Sequence, residues 1–379
     1  AYWDYEIKHA QVSGYEGYPV FSKKSLTDIS FLSCARQILQ NKKIYPKFAT
    51  HNAHTISSIS FLAKDSPYEF QRLYGMGELL YKTASEVLGL DKRPSIYAPI
   101  GNYKDLLPYL VRRLLENGAN SSFINRLLDP ETDSKWLAEN PMVRMKKETK
   151  EIPLPKDIFN KRENSSGYDL TEDENLKRLE SSLAKFENTL VDAKSIYVGR
   201  VKSSTSAHKA ISVANNKLIG SVTFDDPSNI ENAITNKSEP IWNHFSVDER
   251  SKVLQDIADH IEQEPNQLIF YLINEAGKTI QNAIDEIREA IDFLRYYSEQ
   301  IKEINKNNEL EGPTGEINNI SYSNKGRFLC ISPWNFPVAI LIGQISAALA
   351  CGNNVLIKPS EHTSILGYLV VKIFHKYGV

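Results

Sequence analysis

Two groups of residues have types and spacing that could do chemistry. In the first, Arg112 and Arg113 stand side by side on Leu106 to Asn117. There Leu106, Leu107, Leu110, Val111, Leu114 and Leu115 form an apolar stripe at helical spacing, with Glu116 at i+3 and i+4 from the arginines. Adjacent guanidinium groups can fork onto one carboxylate. Each charge-assisted hydrogen bond contributes roughly 1.5–3 kcal/mol, enough to hold a small amino acid with little apolar surface to offer. Spacing alone is also explained by an amphipathic helix with a surface ion pair worth under about 1 kcal/mol. In the second group, Ile331-Ser-Pro-Trp-Asn-Phe-Pro337 lies between an apolar strand and a helix, and Lys358-Pro-Ser-Glu361 ends the next strand. A βα turn made by prolines, with Trp334 and Phe336 as core anchors, explains the first motif in isolation; the paired motifs argue for more.

The elements that must position these groups follow the βα pattern, an α/β fold class. Strands are expected at Ala1 to Asp4, Ile44 to Asn52, Tyr68 to Leu73 and Ser95 to Gly101, with helical spacing at Leu32, Ala35 and Leu39 between them. The starts near 44, 68 and 95 recur about every 25 residues, close to one unit of an eight-unit barrel of about 250 residues, so residues 1–135 hold about half a barrel. Arg112 and Arg113 then follow the last of these strands, where barrel active sites collect. Residues 136–200, with the charged run Arg144 to Glu151 and then Pro153 and Pro155, read as a mostly surface linker with one helix around 171–187. Residues 201–379 form a second domain. Ser246 and Glu249 make a capping box before the apolar face Val253, Leu254, Ile257, Ala258 and Ile261, and a further helix carries Ile284, Ile287, Ile291 and Leu294. Strand Arg327 to Ser332, helix Val338 to Ala350 ended by Gly352 and Asn353, and strand Val355 to Lys358 make one βαβ unit.

Bulk properties exclude several classes. The 379 residues are 41% hydrophobic, and 45 Lys plus Arg against 47 Asp plus Glu leave a net charge of -2, no electrostatic footprint for nucleic acid. Cys34, Cys330 and Cys351 lack CxxC pairing, which argues against a zinc site or disulfide framework and for a reducing cytoplasm. Cys330, inside a strand, and Cys351, at a helix end, read as small core residues rather than nucleophiles. The longest apolar stretch, Val338 to Cys351, is about 14 residues, short of the roughly 20 that span a bilayer. His51 and His54 as a metal pair are disfavoured, because a strand splays them and no acidic third ligand is near. Gly277-Lys-Thr279 is no phosphate loop, since the required earlier glycine is Leu272. Both ends read as cut.

Tyr2-Trp-Asp4, Tyr45 to His54, Glu69 to Leu73, Gly75-Met-Gly77, Tyr97-Ala-Pro99 and Leu110 to Asn120 closely resemble the proline dehydrogenase barrel of the bacterial bifunctional proline utilization family, PutA. The resemblance implies that hydride passes from proline to FAD, with Arg112 and Arg113 on the proline carboxylate and Tyr2, Leu73 and Tyr97 around the ring. It also implies that Trp3, Ser22, Lys24, Thr27, Thr50, His51, Asn52, Gln71, Glu116 and Phe123 line the FAD.

The 331–337 and 358–361 motifs resemble the aldehyde dehydrogenase superfamily, and Asn274-Glu-Ala-Gly-Lys-Thr279 and Glu286 to Tyr297 its pyrroline-5-carboxylate branch. That likeness implies that Asn335 donates to the thiohemiacetal oxyanion, as an amide can without titrating. It also implies that Lys358 and Glu361 hold the NAD ribose, with Ile331, Ser332, Pro333, Trp334 and Ser360 beside the cofactor and the nucleophilic cysteine beyond Val379.

The expected fold is thus the C-terminal part of a (β/α)8 barrel followed by the N-terminal part of a Rossmann-type domain. The expected function is a share in oxidising proline to pyrroline-5-carboxylate with FAD, then glutamate semialdehyde to glutamate with NAD. The family implies a quinone acceptor, peripheral association of the parent with the inner membrane, and a homo-oligomer. The isolated chain is expected to be inactive, and a degenerate or split-gene product retaining at most cofactor binding is the alternative.

Overall fold

In the computed structural model, Trp3 and Asp4 open a helix, not the strand expected there. Helix α1 (Trp3–Ser13) places Ile7 and Ala10, three apart, on one buried stripe, and Asp4 and Glu6 in its first turn suit the positive end of its dipole. The structure describes residues 3–90, 93–118, 135, 138–147, 151–197, 200–201, 207–235, 241–306 and 309–379. They divide into two units, Ala1–His9 with Tyr18–Ile152 and Ala10–Gly17 with Pro153–Val379.

The first unit continues with α2 (Lys24–Gln40), β1 (Lys47–Ala49), α3 (Ala53–Ala63), β2 (Glu69–Leu73), α4 (Glu78–Leu88), β3 (Ser95–Tyr97), α5 (Tyr103–Gly118) and α6 (Pro141–Lys147). The three strands form one parallel sheet in chain order, with Phe48 opposite Phe70 and Leu73 opposite Tyr97. Parallel neighbours need a crossover, and α3 and α4 supply it. The core gathers Ala35 and Leu39 of α2, Phe48, Ile56, Ile59, Phe70 and Tyr81. The apolar stripe of α5 is exposed, Leu114 by 72% and Leu115 by 65%.

In the second unit the main elements are α7 (Asp173–Ala184), β4 (Val191–Lys194), β5 (Ala207–Ile211), β6 (Leu218–Thr223), α8 (Pro227–Thr235), α9 (Val247–Gln263), α10 (Asn266–Asn274), α11 (Ile280–Lys306), β7 (Arg327–Ile331), α12 (Ala339–Ala350), β8 (Asn354–Lys358) and α13 (Ser364–Lys376). Central β6 pairs parallel with β4 and antiparallel with β5, and β7 pairs parallel with β8. The stretch read as a linker contributes to both units. Its later part packs on this core, because α7 turns Leu179 inward and Tyr168, Leu170, Leu183 and Phe186 add to it despite the charged composition. The capping box forms, with Ser246 accepting from the Glu249 amide and Glu249 accepting from the Ser246 amide. Helix α10 is buried on every side from Leu268 to Leu272, and α11 lines up Ile284, Ile287, Ile291 and Leu294 against α9 and α12. After α12, Gly352 takes the left-handed conformation (φ 77°) that ends the helix.

Candidate functional site

Because β1, β2 and β3 run parallel and adjacent, their C-terminal ends lie along one edge. Thr50, His51 and Asn52 follow β1, Leu73 ends β2 and Tyr97 ends β3. Buried Tyr81, which the sequence reading missed, ties two of these ends together: its hydroxyl donates to the Thr50 carbonyl at 2.7 Å and the Gln71 carbonyl at 3.3 Å. Burial pushes its phenol pKa up, keeping it a neutral donor. Its only sequence signal was an aromatic on the inward face of α4. The Leu73 amide donates to His51 Nε2 at 3.4 Å. Gly77 has φ 69°, and a Cβ there meets His51 Cδ2 at 2.7 Å, so the turn that the Gly75-Met-Gly77 text marks needs glycine on both counts. Asn52 caps α3, its Oδ1 accepting from the His54 and Thr55 amides. His54 Nδ1 instead lies 3.4 Å from Ser58 Oγ, so the two histidines take separate partners.

Tyr97 is half exposed and its ring lies 6.3 Å from that of Tyr109, which in turn sits 5.5 Å under the Arg113 guanidinium. These contacts link the β3 end to α5 and to Arg113, while Arg112 is exposed on the same helix. Glu116 is in the last turn of α5. The remaining residues take partners of their own. Trp3 Nε1 donates to the Phe21 carbonyl at 2.7 Å, and Lys24 pairs with Asp28 one turn along α2. Ser22 is half-buried and Thr27 exposed. Tyr2 and Phe123 lie outside the described residues.

In the second unit, Ile331 stands opposite Lys358 in the β7–β8 register, so both motif loops leave neighbouring strand ends. The Ser332 amide donates to the Lys358 carbonyl at 3.3 Å, and Gln344 Nε2 to the Ile331 carbonyl at 3.1 Å. Trp334 is 59% and Phe336 40% exposed. Neither is a core anchor, so the turn-only explanation of this motif loses its support. Asn335 is exposed between them, as a donor to a bound molecule must be. The second loop holds Lys358 Nζ 3.4 Å from Glu361 Oε2, with buried Ser360 capping the short 3-10 turn Glu361–Thr363, and in the first loop Pro333 is half-buried. The Ser332 hydroxyl is buried without a hydrogen-bond partner among the described residues. Cys330 is buried and its thiol pKa is pushed up by burial, which disfavours the thiolate a nucleophile needs. Cys351, expected in the core, is exposed because it occupies the C-cap of α12, where the helix emerges to solvent.

Sequence reading also missed what stands behind these loops. Glu286 accepts from the Val338 and Ala339 amides at 2.8 and 3.2 Å, and Glu275 from the Ile365 and Leu366 amides at 2.8 and 2.9 Å. The available signal was an acidic residue in each quoted motif with no assigned partner. Burial raises the Glu275 carboxyl to about 7, the two amides pulling it back only in part. A carboxyl near 4.5 unfolded and near 7 folded stabilises the fold fully below the lower value and loses that contribution as pH rises through the higher. The stability of the wild-type second unit relative to Glu275→Gln is therefore expected to fall by about 3 kcal/mol between pH 4.5 and 8. Urea titrations across that range check this, and a constant difference would remove Glu275 as its source.

Comparison with known proteins finds two families along the chain. The proline dehydrogenase family model matches residues 1–126 and the aldehyde dehydrogenase family model residues 201–379. "Bifunctional protein PutA" of Salmonella typhimurium is 41% identical over 400 residues, covering 100% of this chain and 29% of the relative. "1-Pyrroline-5-carboxylate dehydrogenase" of Oceanobacillus iheyensis is 32% identical over 216 residues, 56% of this chain and 42% of its own length. The crystal structure of a mutant of Bradyrhizobium japonicum Proline Utilization A superposes with a TM-score of 0.83 at 35% identity, covering 100% of this chain and 36% of that one. The chain thus spans about a third of the length of the bifunctional relatives it matches, with a segment similar to proline dehydrogenases ahead of one similar to aldehyde dehydrogenases.

Proposed function

We propose that this chain is the joining part of an enzyme that oxidises proline to pyrroline-5-carboxylate with FAD and then glutamate semialdehyde to glutamate with NAD. The observation that carries this reading is the occurrence of both family matches, in this order, in one chain. In the first unit Arg112 and Arg113 take the proline carboxylate, and Leu73, Tyr97 and Tyr2 hold the ring. FAD would supply the hydride acceptor for the ring carbon next to nitrogen, and of the residues named for it Thr50, His51 and Asn52 follow β1, Gln71 lies in β2 and Lys24 and Thr27 lie on α2. In the second unit Lys358 and Glu361, both exposed at the end of β8, take the NAD ribose, and the unpartnered Ser332 hydroxyl is a polar group still to be satisfied beside them. Asn335 donates to the developing oxyanion. The family reading adds a quinone as final acceptor, a cytoplasmic location with peripheral membrane contact, and self-association of the complete protein. No helix among the described residues is long and apolar enough to cross a membrane.

NAD titration of the purified chain tests the second half of this reading. Saturable binding weakened by Lys358→Ala is expected; no binding favours the degenerate product instead. For the first half, Arg113→Met in the flavin-loaded complete protein is expected to raise the proline concentration for half-maximal rate about tenfold or more, with bound flavin retained. An unchanged proline dependence removes Arg113 from the substrate site.

A further inference from the structure

The 274–279 and 286–297 motifs have no role in the chemistry above, yet the structure sets their charged residues directly behind the two nucleotide-side loops. Helix α12 begins three residues after Phe336, and α13 begins directly after the Glu361–Thr363 turn. The first amides of any helix lack intrahelical acceptors, and a carboxylate placed there satisfies them and suits the dipole. Glu286, with no exposed side-chain surface, does this for α12, and Glu275 does it for α13. Lys278 completes the arrangement. Its Nζ lies 2.5 Å from Glu286 Oε2 and 4.0 Å from the Phe336 ring centroid, so one ammonium joins the buried carboxylate to the residue after Asn335. Gly277, in the left-handed conformation at φ 70°, turns the chain between α10 and Lys278.

We propose that Glu286 with Lys278, and Glu275 separately, are positioning residues, each carboxylate anchoring the helix that follows one nucleotide-side loop and so fixing that loop's geometry. Glu286 and Lys278 serve the Asn335 loop; Glu275 serves the Lys358–Glu361 loop. The assignment of those loops to oxyanion and ribose rests on the function proposed above, whereas the anchoring itself does not.

The test is residue-resolved hydrogen exchange on the 379-residue chain together with NAD titration. Glu286→Gln, which keeps one acceptor and loses the ion pair, is expected to speed exchange at Val338 and Ala339 about tenfold and to leave Ile365 and Leu366 within about twofold. Glu275→Gln is expected to do the reverse and to raise the Kd for NAD about tenfold. Lys278→Met provides a second, milder probe of the first loop should Glu286→Gln not fold, and it is expected to speed Val338 and Ala339 alone. Equal acceleration of both pairs in any folded variant means general loosening and overturns the proposal, as does unchanged exchange at the anchored pair. If the wild-type chain binds no NAD, the functional reading falls, while the crossed exchange pattern still decides whether the anchors exist.

Discussion

Asn335→Ala is expected to slow aldehyde oxidation about a hundredfold or more in a protein that joins this segment to its family's nucleophile, with NAD affinity nearly unchanged. The size follows from losing one preorganised donor to an oxyanion, typically about 2.7–4 kcal/mol of transition-state stabilisation. The geometry favours the donor's being preorganised. Asn335 lies on a loop whose start is bonded across to the neighbouring strand through Ser332 and Lys358, and whose end enters a helix held by Glu286. A rigid loop places an amide without paying reorganisation at the moment of reaction. Steady-state kinetics with NAD binding measured separately check this. A loss below about tenfold would mean that Asn335 is a loop residue and no more, and weakened NAD binding of the same size would assign it to the cofactor instead.

Leu294→Ala is expected to destabilise the second unit by about 2–5 kcal/mol. Leu294 lies at the middle of the 27-residue α11, is 0% exposed, and belongs to the core that α11 forms with α9 and α12. Truncation removes its transfer free energy and leaves a cavity that three packed helices cannot readily collapse. In urea the transition of this unit is expected to move down by about 1–2 M, given slopes of roughly 1–3 kcal/mol per M. A shift too small to resolve would show that the α11 seam relaxes freely. Because α11 also carries Glu286, such relaxation would weaken the case that the Asn335 loop is rigid.

The parts of the fold that were legible in sequence are those in which local pattern and tertiary environment agree. The capping box, the α9 and α11 faces, the parallel strands near 48, 70 and 96, and the βαβ unit at 327–358 all fall where period and caps put them, and the α9 and α11 faces bury the stripe their own spacing creates. Ala1 to Asp4 misled, since two aromatics resemble a strand start while the stripe of Ile7 and Ala10 further along decides for a helix. Within residues 136–200 the helix expected around 171–187 forms as α7, and five apolar side chains on and around it seat it on a core that the charged composition does not reveal. The exposure of Phe328, Leu329 and Ile331 in β7, and of Trp334 and Phe336, is equally invisible to hydropathy, which reports what a residue can bury and not what lies beside it.

The adjacent arginines, the Asn335 loop and the Lys358–Glu361 loop were determined by the sequence alone, as were the order of the two enzyme-like segments and the absence of a strong net charge. Residue type and short spacing are stated directly by the chain, while the roles proposed for these residues come from the family resemblance. Only the tertiary structure decided that Tyr81 ties two strand ends, that Tyr109 contacts both Tyr97 and Arg113, and that Glu286 and Glu275 accept from helix-start amides 52 to 91 residues away along the chain. Such contacts join groups distant in sequence, and a hydrogen bond of about 3 Å exists only once packing has brought its partners to that distance.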